Sequence, residues 1–258
     1  MHRIFAHIAV AVLEAHLAQW TQQVCVALHA ETAQEPGLVG IAMDGKTLRT
    51  SRRCGAQESH LVSSCRHQLG LVCGQVAVGD KANDAAQGAP AASDDLLALL
   101  MLTGVTVTGD AMFTQHAIAQ TVLDVGNDYL LVVKENQPTL HAEIVTLFAD
   151  PDAVITQASE TSAHSQRVEH RCLHASTELT GDSDWPGLAQ VLCMERSVTH
   201  TQTGKRQYER AYAVTSLTPA RATAAQLLTR WREHWHIENK LHYVRGCPRI
   251  LGEEDRGG

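Results

Sequence analysis

Two short apolar runs, far apart in the chain, each lead to an aspartate. Residues 38–43 (LVGIAM) follow a Pro-Gly break and precede Asp44, and residues 105–108 (VTVT) lead through Gly109 to Asp110. Apolar runs of this length, bounded by turn residues, are typical of buried strands. Sites in open α/β sheets form at the carboxyl ends of strands, so the two aspartates are the first candidates for a functional site.

The rest of the first 150 residues supplies further strand and helix patterns. Apolar spacing over 4–28 predicts one or two amphipathic helices. Residues 60–67 and 69–78 are predicted to be two strands of a meander, and Ser93 is predicted to cap a helix over 93–102. After Asp110 the chain alternates helix, strand and helix, in the order 114–125, 129–133 and 139–148. Such alternation is typical of a parallel sheet.

The pattern changes after residue 150. Short alternating segments, separated by Gly, Ser, Asp and Pro, predict a β-rich insertion; they are 166–174, 190–198 and 207–214. A helix pattern returns at Pro219 and continues to about Arg245, where Gly246 and Pro248 end it. The predicted organisation is an N-terminal helical segment over 1–36, a core over 37–149, the insertion over 150–217, the last helix of the core over 218–246, and a tail over 247–258.

Composition narrows the classes of function. A net charge of −7 over 258 residues gives no general positive field for unspecific binding to nucleic acid or anionic membranes. Only 3 Phe, 4 Tyr and 4 Trp argue against a stacking platform for single-stranded nucleic acid. The 7 cysteines are odd in number and never form CxxC, which fits neither a disulfide framework nor a zinc knuckle and favours a reducing cytoplasm. We predict no signal peptide and no membrane segment.

A third acid, Glu238, lies within the last predicted helix, in the segment WREHWHIENKLHYVR. Helical spacing places it on a polar stripe with His234, His242 and Arg245. Together with the two aspartates it would supply oxygen ligands for a pair of Mg²⁺ or Mn²⁺ ions. Spacing alone leaves open, and slightly favours, the alternative that the aspartates are turn residues and Glu238 forms ion pairs along its helix.

Four separated segments together resemble the insertion-sequence DDE transposases of the H-repeat-associated type. They are IAMDGKTLRTS, HLVSSCRHQLGLVCGQ, VTVTGDAMFTQHAIAQTVLDVGNDYLLVVKENQPTL and HWHIENKLHYVR. The resemblance implies an α/β fold with a ribonuclease H-like mixed sheet flanked by helices and a β-rich insertion before the last helix. It also implies that Asp44, Asp110 and Glu238 are catalytic and bind two Mg²⁺ or Mn²⁺ ions. The implied activity is metal-dependent DNA cleavage and strand transfer at insertion-sequence ends.

The partner expected from this resemblance is double-stranded DNA, both as transposon ends and as target. A basic patch follows the first aspartate, and residues 204–249 hold nine Lys or Arg against three acids. The resemblance adds the KENQ motif and a basic residue seven positions after Glu238. The predicted DNA-binding residues are Lys46, Arg49, Lys134, Asn136, Lys240 and Arg245. A homodimer is one possible assembly, and the expected location is the bacterial cytoplasm in association with the nucleoid.

Several alternatives stay open at this stage. The basic residues could simply keep the surface soluble, and KENQ could be a solvated turn. His170, Cys172 and His174 alternate along one predicted strand and could bind zinc, although no fourth ligand is evident. The tail departs from the family pattern and the front is expected to be shortened, so a truncated, inactive remnant that retains DNA binding is one alternative function. A generic metal-dependent nuclease is another.

Overall fold

The computed structural model describes residues 39–48, 59–66, 71–78 and 103–234. In the N-terminal segment it describes six further residues, all helical: Val12, His16, Gln19, Trp20, Gln23 and Val24. The predicted helix over 93–102, the rest of the segment over 4–28, and all residues after His234 lie outside the described part of the chain. None of the described helices is both long and apolar enough to span a bilayer.

A nine-stranded mixed sheet organises the described residues, in the order β3-β2-β1-β4-β5-β9-β8-β7-β6. The strands are β1 Gly40–Leu48, β2 Ser59–Arg66, β3 Leu71–Val78, β4 Thr106–Gly109, β5 Asp128–Val133, β6 Thr156–His164, β7 Arg167–Ser176, β8 Gln190–His200 and β9 Arg206–Thr215. The helices are α1 His116–Asp124, α2 Pro138–Leu147 and α3 Ala224–His234, and a one-turn 3₁₀ helix spans Ala111–Phe113.

Strand direction divides the sheet into three parts. β1, β2 and β3 form an antiparallel meander. β4 and β5 then run parallel to β1, which is possible because each is reached through a long connection. β9 pairs antiparallel with β5, and β8, β7 and β6 continue antiparallel from it. The four strands of the insertion therefore extend the same sheet.

The sheet is covered by helices on both faces, as the sequence of β5 anticipates. Tyr129 and Leu131 face a core shared with α1 and α2, whereas Leu130 and Val132 face a core shared with α3. A strand buried on both sides loses the polar alternation of a half-exposed strand, and DYLLVV is accordingly almost wholly apolar. The predicted mixed sheet, flanked by helices and extended by a β-rich insertion before the last described helix, is confirmed.

Two strands differ from the sequence prediction. β1 does not end at Met43 but continues to Leu48, because residues 44–48 pair with residues 59–63 of β2. Asp44 therefore lies within the strand, directly after its last pairing with β4. β6 was not predicted, since TQASETSAH lacks the apolar alternation on which the strand predictions depend. It lies at the edge of the sheet and owes its conformation to pairing with β7.

Candidate active site at the end of the parallel strands

The parallel pairing of β1 and β4 brings the two predicted catalytic aspartates together along the backbone. Met43 of β1 and Gly109 of β4 are paired in the sheet. Asp44 and Asp110 each follow one member of this pair, so their backbones are neighbours. Neighbouring strands lie about 4.8 Å apart, which sets the spacing of the two backbones at this point. Two aspartates that are 66 positions apart in the sequence are therefore adjacent at the carboxyl end of β4.

Asp110 begins a tight turn whose conformation is fixed by local contacts. Its Oδ1 accepts a hydrogen bond of 2.7 Å from the backbone N–H of Ala111. The N–H groups of Phe113 and Thr114 donate to the carbonyl oxygens of Asp110 and Ala111, at 2.9 and 3.0 Å. Phe113 is fully buried in the core and thereby anchors the turn to it. The Asp110 side chain remains 52% exposed.

Gly109 allows this turn to pack closely. A Cβ at this position would lie 2.9 Å from Leu131 Cδ2 and 3.0 Å from Phe113 Cβ, closer than side-chain contacts normally come. Glycine is therefore required by the close approach of Phe113 to the end of β4, and not only as a strand terminator.

The loop after β5 contacts the Asp110 turn through three of the four residues of the KENQ motif. Lys134 Nζ lies 3.3 Å from Asp110 Oδ1 and is 61% exposed. Asn136 Nδ2 donates to the carbonyl oxygen of Ala111 at 2.7 Å and to that of Thr114 at 3.4 Å. Gln137 Nε2 donates to the same Thr114 oxygen at 2.9 Å. Sequence reasoning missed Gln137 and Thr114 as site residues; KENQ was a signal for the first, and nothing marked the second.

A hydrogen bond joins helix α3 to β4 near Asp110. His234 Nδ1 lies 2.8 Å from Thr108 Oγ1, and Thr108 is two residues before Asp110. His234 is the last residue described in the helix, and Glu238 is four positions further along the chain. Trp231 packs into the core shared by α3 and the sheet, as expected for an aromatic residue on this helix.

The other predicted site residues are placed only in part. The backbones of Asp44 and Lys46 belong to β1. Arg49, Glu238, Lys240 and Arg245 lie outside the described residues. Within the described part of the chain no three His, Cys, Asp or Glu side chains gather where they could hold a metal ion. Of the predicted ligand set, this part includes the side chain of Asp110 alone. An exposed carboxylate beside a second aspartate fits the hard oxygen donors that Mg²⁺ and Mn²⁺ prefer.

A groove of about 950 Å³ lies beside Asp110. Its walls come from the Asp110 turn, the KENQ loop and the middle of β9. Lys134 and Arg210 contribute positive charge, and Glu135 and Glu209 contribute negative charge in equal number. A groove balanced in this way has little net attraction for phosphate while Lys134 and Arg210 remain paired.

Of the six basic residues that the structure describes in the region 204–249, four are paired with carboxylates. Four of the described arginines form ion pairs: Arg210 with Glu195, Arg221 with Asp128, Arg230 with Glu233 and Arg232 with Glu160. The hydrogen bonds of Arg210 raise the pKa of its guanidinium, Glu195 having the largest effect. Of the described basic residues, these four arginines are therefore not simply open positive charge.

A ladder of charges also crosses the insertion. Arg171 pairs with Glu160 at 3.2 Å and with Glu169 at 2.8 Å, while Arg196 pairs with Glu169 and, at 3.0 Å, with Glu209. Burial alone would raise the pKa of Glu169, but its hydrogen bond to Arg196 and the charge of Arg171 hold that pKa below its usual value. The ladder links β6, β7, β8 and β9 side by side.

The three residues considered as zinc ligands are in surroundings that do not favour a metal. Both histidines contact other side chains, and the cysteine thiol is partly buried. His170 Nδ1 lies 3.0 Å from Thr161 Oγ1, and His174 Nε2 lies 3.7 Å from Glu195 Oε2. Burial raises the pKa of the Cys172 thiol, which disfavours the thiolate that zinc requires. These contacts favour the alternative to a zinc site, namely that the three residues belong to a partly buried strand face.

Known proteins resemble most of the chain. The chain is 34% identical over 229 residues to the putative protein YbfL of Escherichia coli K12, a match that covers 83% of this chain and 57% of YbfL. It is 33% identical over 229 residues to the H repeat-associated putative transposase YhhI of the same organism, with the same coverage. The chain thus spans a little over half the length of these relatives.

A solved structure and a protein family also match. The structure of the piggyBac transposase synaptic complex with hairpin DNA is similar at a TM-score of 0.42 and 9% identity, over 82% of this chain and 41% of that one. Residues 35–247 match the family described as the transposase DDE domain. Because that match includes Asp44, Asp110 and most of the chain, the protein belongs to the DDE-domain transposases.

Proposed function

We propose that this protein is a transposase that cleaves DNA and transfers strands at insertion-sequence ends, with two Mg²⁺ or Mn²⁺ ions. The observation that carries the proposal is the parallel register of β1 and β4, which makes Asp44 and Asp110 neighbours. Family membership supplies the reaction class, since such enzymes act on phosphodiesters. The activity of the complete protein is part of the proposal, because the chain spans only part of its relatives.

In this mechanism three acids would hold the metal ions. Asp44 would bind both ions, while Asp110 and Glu238 would each bind one. Bound metal ions would stabilise charge on the attacking and leaving oxygens of an in-line displacement. The Ala111 N–H keeps the Asp110 carboxylate in one orientation, and Lys134 balances its charge until a cation arrives.

The Thr108–His234 hydrogen bond supports the proposed place of Glu238. It fixes α3 beside the carboxyl end of β4. If the helix continues for one more turn, Glu238 comes to the same side of the helix as His234, since residues four apart lie one above the other.

The proposed partner is double-stranded DNA, and the proposed contacts are Lys46, Arg49, Lys134, Asn136, Lys240 and Arg245. Lys134 is the best supported of them, because it is exposed and lies beside Asp110. The proposed location is the bacterial cytoplasm at the nucleoid, and a homodimer is a possible assembly. We retain the division into helical segment, core, insertion, catalytic helix and tail as a proposal.

The test is DNA cleavage and strand transfer by the full chain on DNA that carries the ends of its own element. Asp110→Asn should reduce Mg²⁺-dependent cleavage by about 10³-fold, because loss of a metal ligand removes several kcal/mol of transition-state stabilisation. Asp152→Asn, which changes an exposed acid in a turn, is the matched control. Full cleavage by Asp110→Asn would refute the proposal. Hydrolysed products without strand transfer would identify a nuclease instead, and binding without cleavage would identify an inactive remnant.

A further inference from the structure

The Asn136 carboxamide is tied to the main chain of the Asp110 turn. Its Nδ2 donates to Ala111 O at 2.7 Å and to Thr114 O at 3.4 Å, across 22 to 25 residues of sequence. A carboxamide nitrogen has two hydrogens, and both are used here. This nitrogen has no hydrogen left to donate to a DNA phosphate.

A short path of hydrogen bonds connects Asn136 to the proposed metal ligand. The path runs through the backbone of Ala111. The Ala111 carbonyl accepts a hydrogen bond from Asn136, and the Ala111 N–H donates one to Asp110 Oδ1. Fixing the carbonyl fixes the local backbone, and the backbone N–H in turn holds the carboxylate. Partners beyond the direct ligands of a metal commonly set the orientation of those ligands in this way.

The far end of the same turn is held by two more contacts. Thr114 is fully buried, and its hydroxyl donates to the carbonyl oxygen of Val132 in β5. Gln137 donates to the Thr114 carbonyl, so consecutive amide side chains clamp both ends of one turn. Lys134 differs from both, because its contact is made by a flexible, exposed side chain directly to Asp110.

From these contacts we propose that Asn136 is a positioning residue for Asp110, and that it sets the affinity of the site for divalent metal without touching DNA. This inference rests on the proposed function, since it takes Asp110 to be a metal ligand. It reassigns one of the DNA contacts predicted from sequence. Lys134 keeps that role, as its ammonium group can leave Asp110 when a cation binds there.

The test compares metal binding with DNA binding in the full chain. Calorimetry with Mn²⁺ should show a roughly 10- to 100-fold loss of affinity in Asn136→Ala, the range found for partners that orient metal ligands. DNA affinity in EDTA, measured by fluorescence anisotropy, should stay within about twofold of wild type, because no phosphate contact is removed. Thr139→Ala, an exposed neutral change at the start of α2, is the matched control and should alter neither quantity.

Two further variants make the outcome decisive. Gln137→Ala should weaken Mn²⁺ binding less than Asn136→Ala does, because it releases only the far end of the turn. Asn136→Ser, whose side chain is too short to reach Ala111, replaces Asn136→Ala if thermal unfolding shows that the alanine variant does not fold. Unchanged Mn²⁺ affinity in the folded Asn136 variant, or a loss of DNA affinity in EDTA, would overturn the positioning role.

Asp110→Asn separates this inference from the proposed function. If wild type binds Mn²⁺, Asp110→Asn does not, and the folded Asn136 variant binds like wild type, the positioning role fails and the proposed metal site stands. If wild type binds no Mn²⁺, the proposed function fails for this chain, and the inference fails with it.

Discussion

The strands that carry the aspartates and the strands of the insertion use charge in opposite ways. Asp110 follows a buried strand, is half exposed and, among the described side chains, has one cationic neighbour, on the flexible side chain of Lys134. In the insertion, Glu169 is buried and pairs with two arginines as part of a ladder across four strands. Charge that is paired on the sheet holds strands together, whereas charge left at the strand end can meet a ligand. Counting Lys and Arg along the sequence does not distinguish these two uses.

The ion pair between Arg221, in the segment before α3, and Asp128, at the start of β5, should show the largest effect on stability. Arg221 binds both carboxylate oxygens of Asp128, at 2.9 and 2.6 Å. The Asp128 side chain is only 7% exposed, so Arg221→Ala leaves a buried charge without its cation. We expect a loss of about 3 kcal/mol in the free energy of unfolding, measured with urea.

A matched change on β9 controls for loss of an arginine. Arg206→Ala removes an exposed side chain and should change stability by less than about 0.5 kcal/mol. Equal effects of the two substitutions would show that the Asp128 pair does not hold the segment before α3 against β5.

The next effect concerns the end of β4. Gly109→Ala adds a methyl group against Leu131 and Phe113, so the turn after it must shift. Overpacking of this kind costs about 1–3 kcal/mol. We also expect Mn²⁺ affinity to fall, because Asp110 moves with the turn; calorimetry and urea unfolding measure the two effects. Wild-type values for both would mean that the turn is not held by Phe113.

Thr108→Val tests the contact between α3 and β4. It keeps the shape of the side chain but removes the hydroxyl group that meets His234. An unpaired, part-buried polar group costs about 1–3 kcal/mol, and DNA cleavage should fall as the helix loses its position. Thr108→Ser keeps the hydroxyl and should behave nearly as wild type. The same activity in the valine and serine variants would remove this contact from the site.

The charge ladder predicts how acid should affect the insertion. The folded pKa of Glu169 is lower than its unfolded value of 4.5, so its ionised form stabilises the fold. This stability is fully present above pH 4.5 and is lost as pH falls through the lowered folded pKa. Glu169→Gln should flatten that part of the profile, measured as the urea midpoint between pH 6 and pH 3 at about one-unit steps. An unchanged profile would show that Glu169 does not contribute.

The smallest stability effects are expected for Arg232→Met and Lys134→Met. Comparing them distinguishes a charge that stabilises the fold from a charge that binds DNA. Arg232→Met breaks a part-exposed pair with Glu160 and should cost about 0.2–1 kcal/mol, with no change in DNA affinity. Lys134→Met should leave stability nearly unchanged but weaken DNA binding and reduce the salt slope by about 1. Anisotropy titrations at several salt concentrations measure both. The reverse result would exchange the roles assigned to the two regions.

Much of the fold was predictable because its strands are apolar where they are buried. β4, β5, α1 and α2 are found within a few residues of their predicted positions. The two strands are short buried runs bounded by turn residues, and the two helices show helical apolar spacing. β6 was missed because an edge strand needs no apolar pattern to pair with its neighbour. β1 extends past its apolar run for the same reason, as its second half pairs with β2.

For the site, the sequence by itself determined the chemistry: which acids follow apolar strands, and which segments resemble a known family. Tertiary structure decided which charges remain available. The register between β1 and β4 makes Asp44 and Asp110 adjacent. In the folded chain Arg210, Arg221 and Arg232 form ion pairs with acids that are distant in the sequence. It also directed Asn136 toward backbone carbonyl groups. Such partners are set by strand pairing and packing over long sequence separations, and a local pattern contains no information about them.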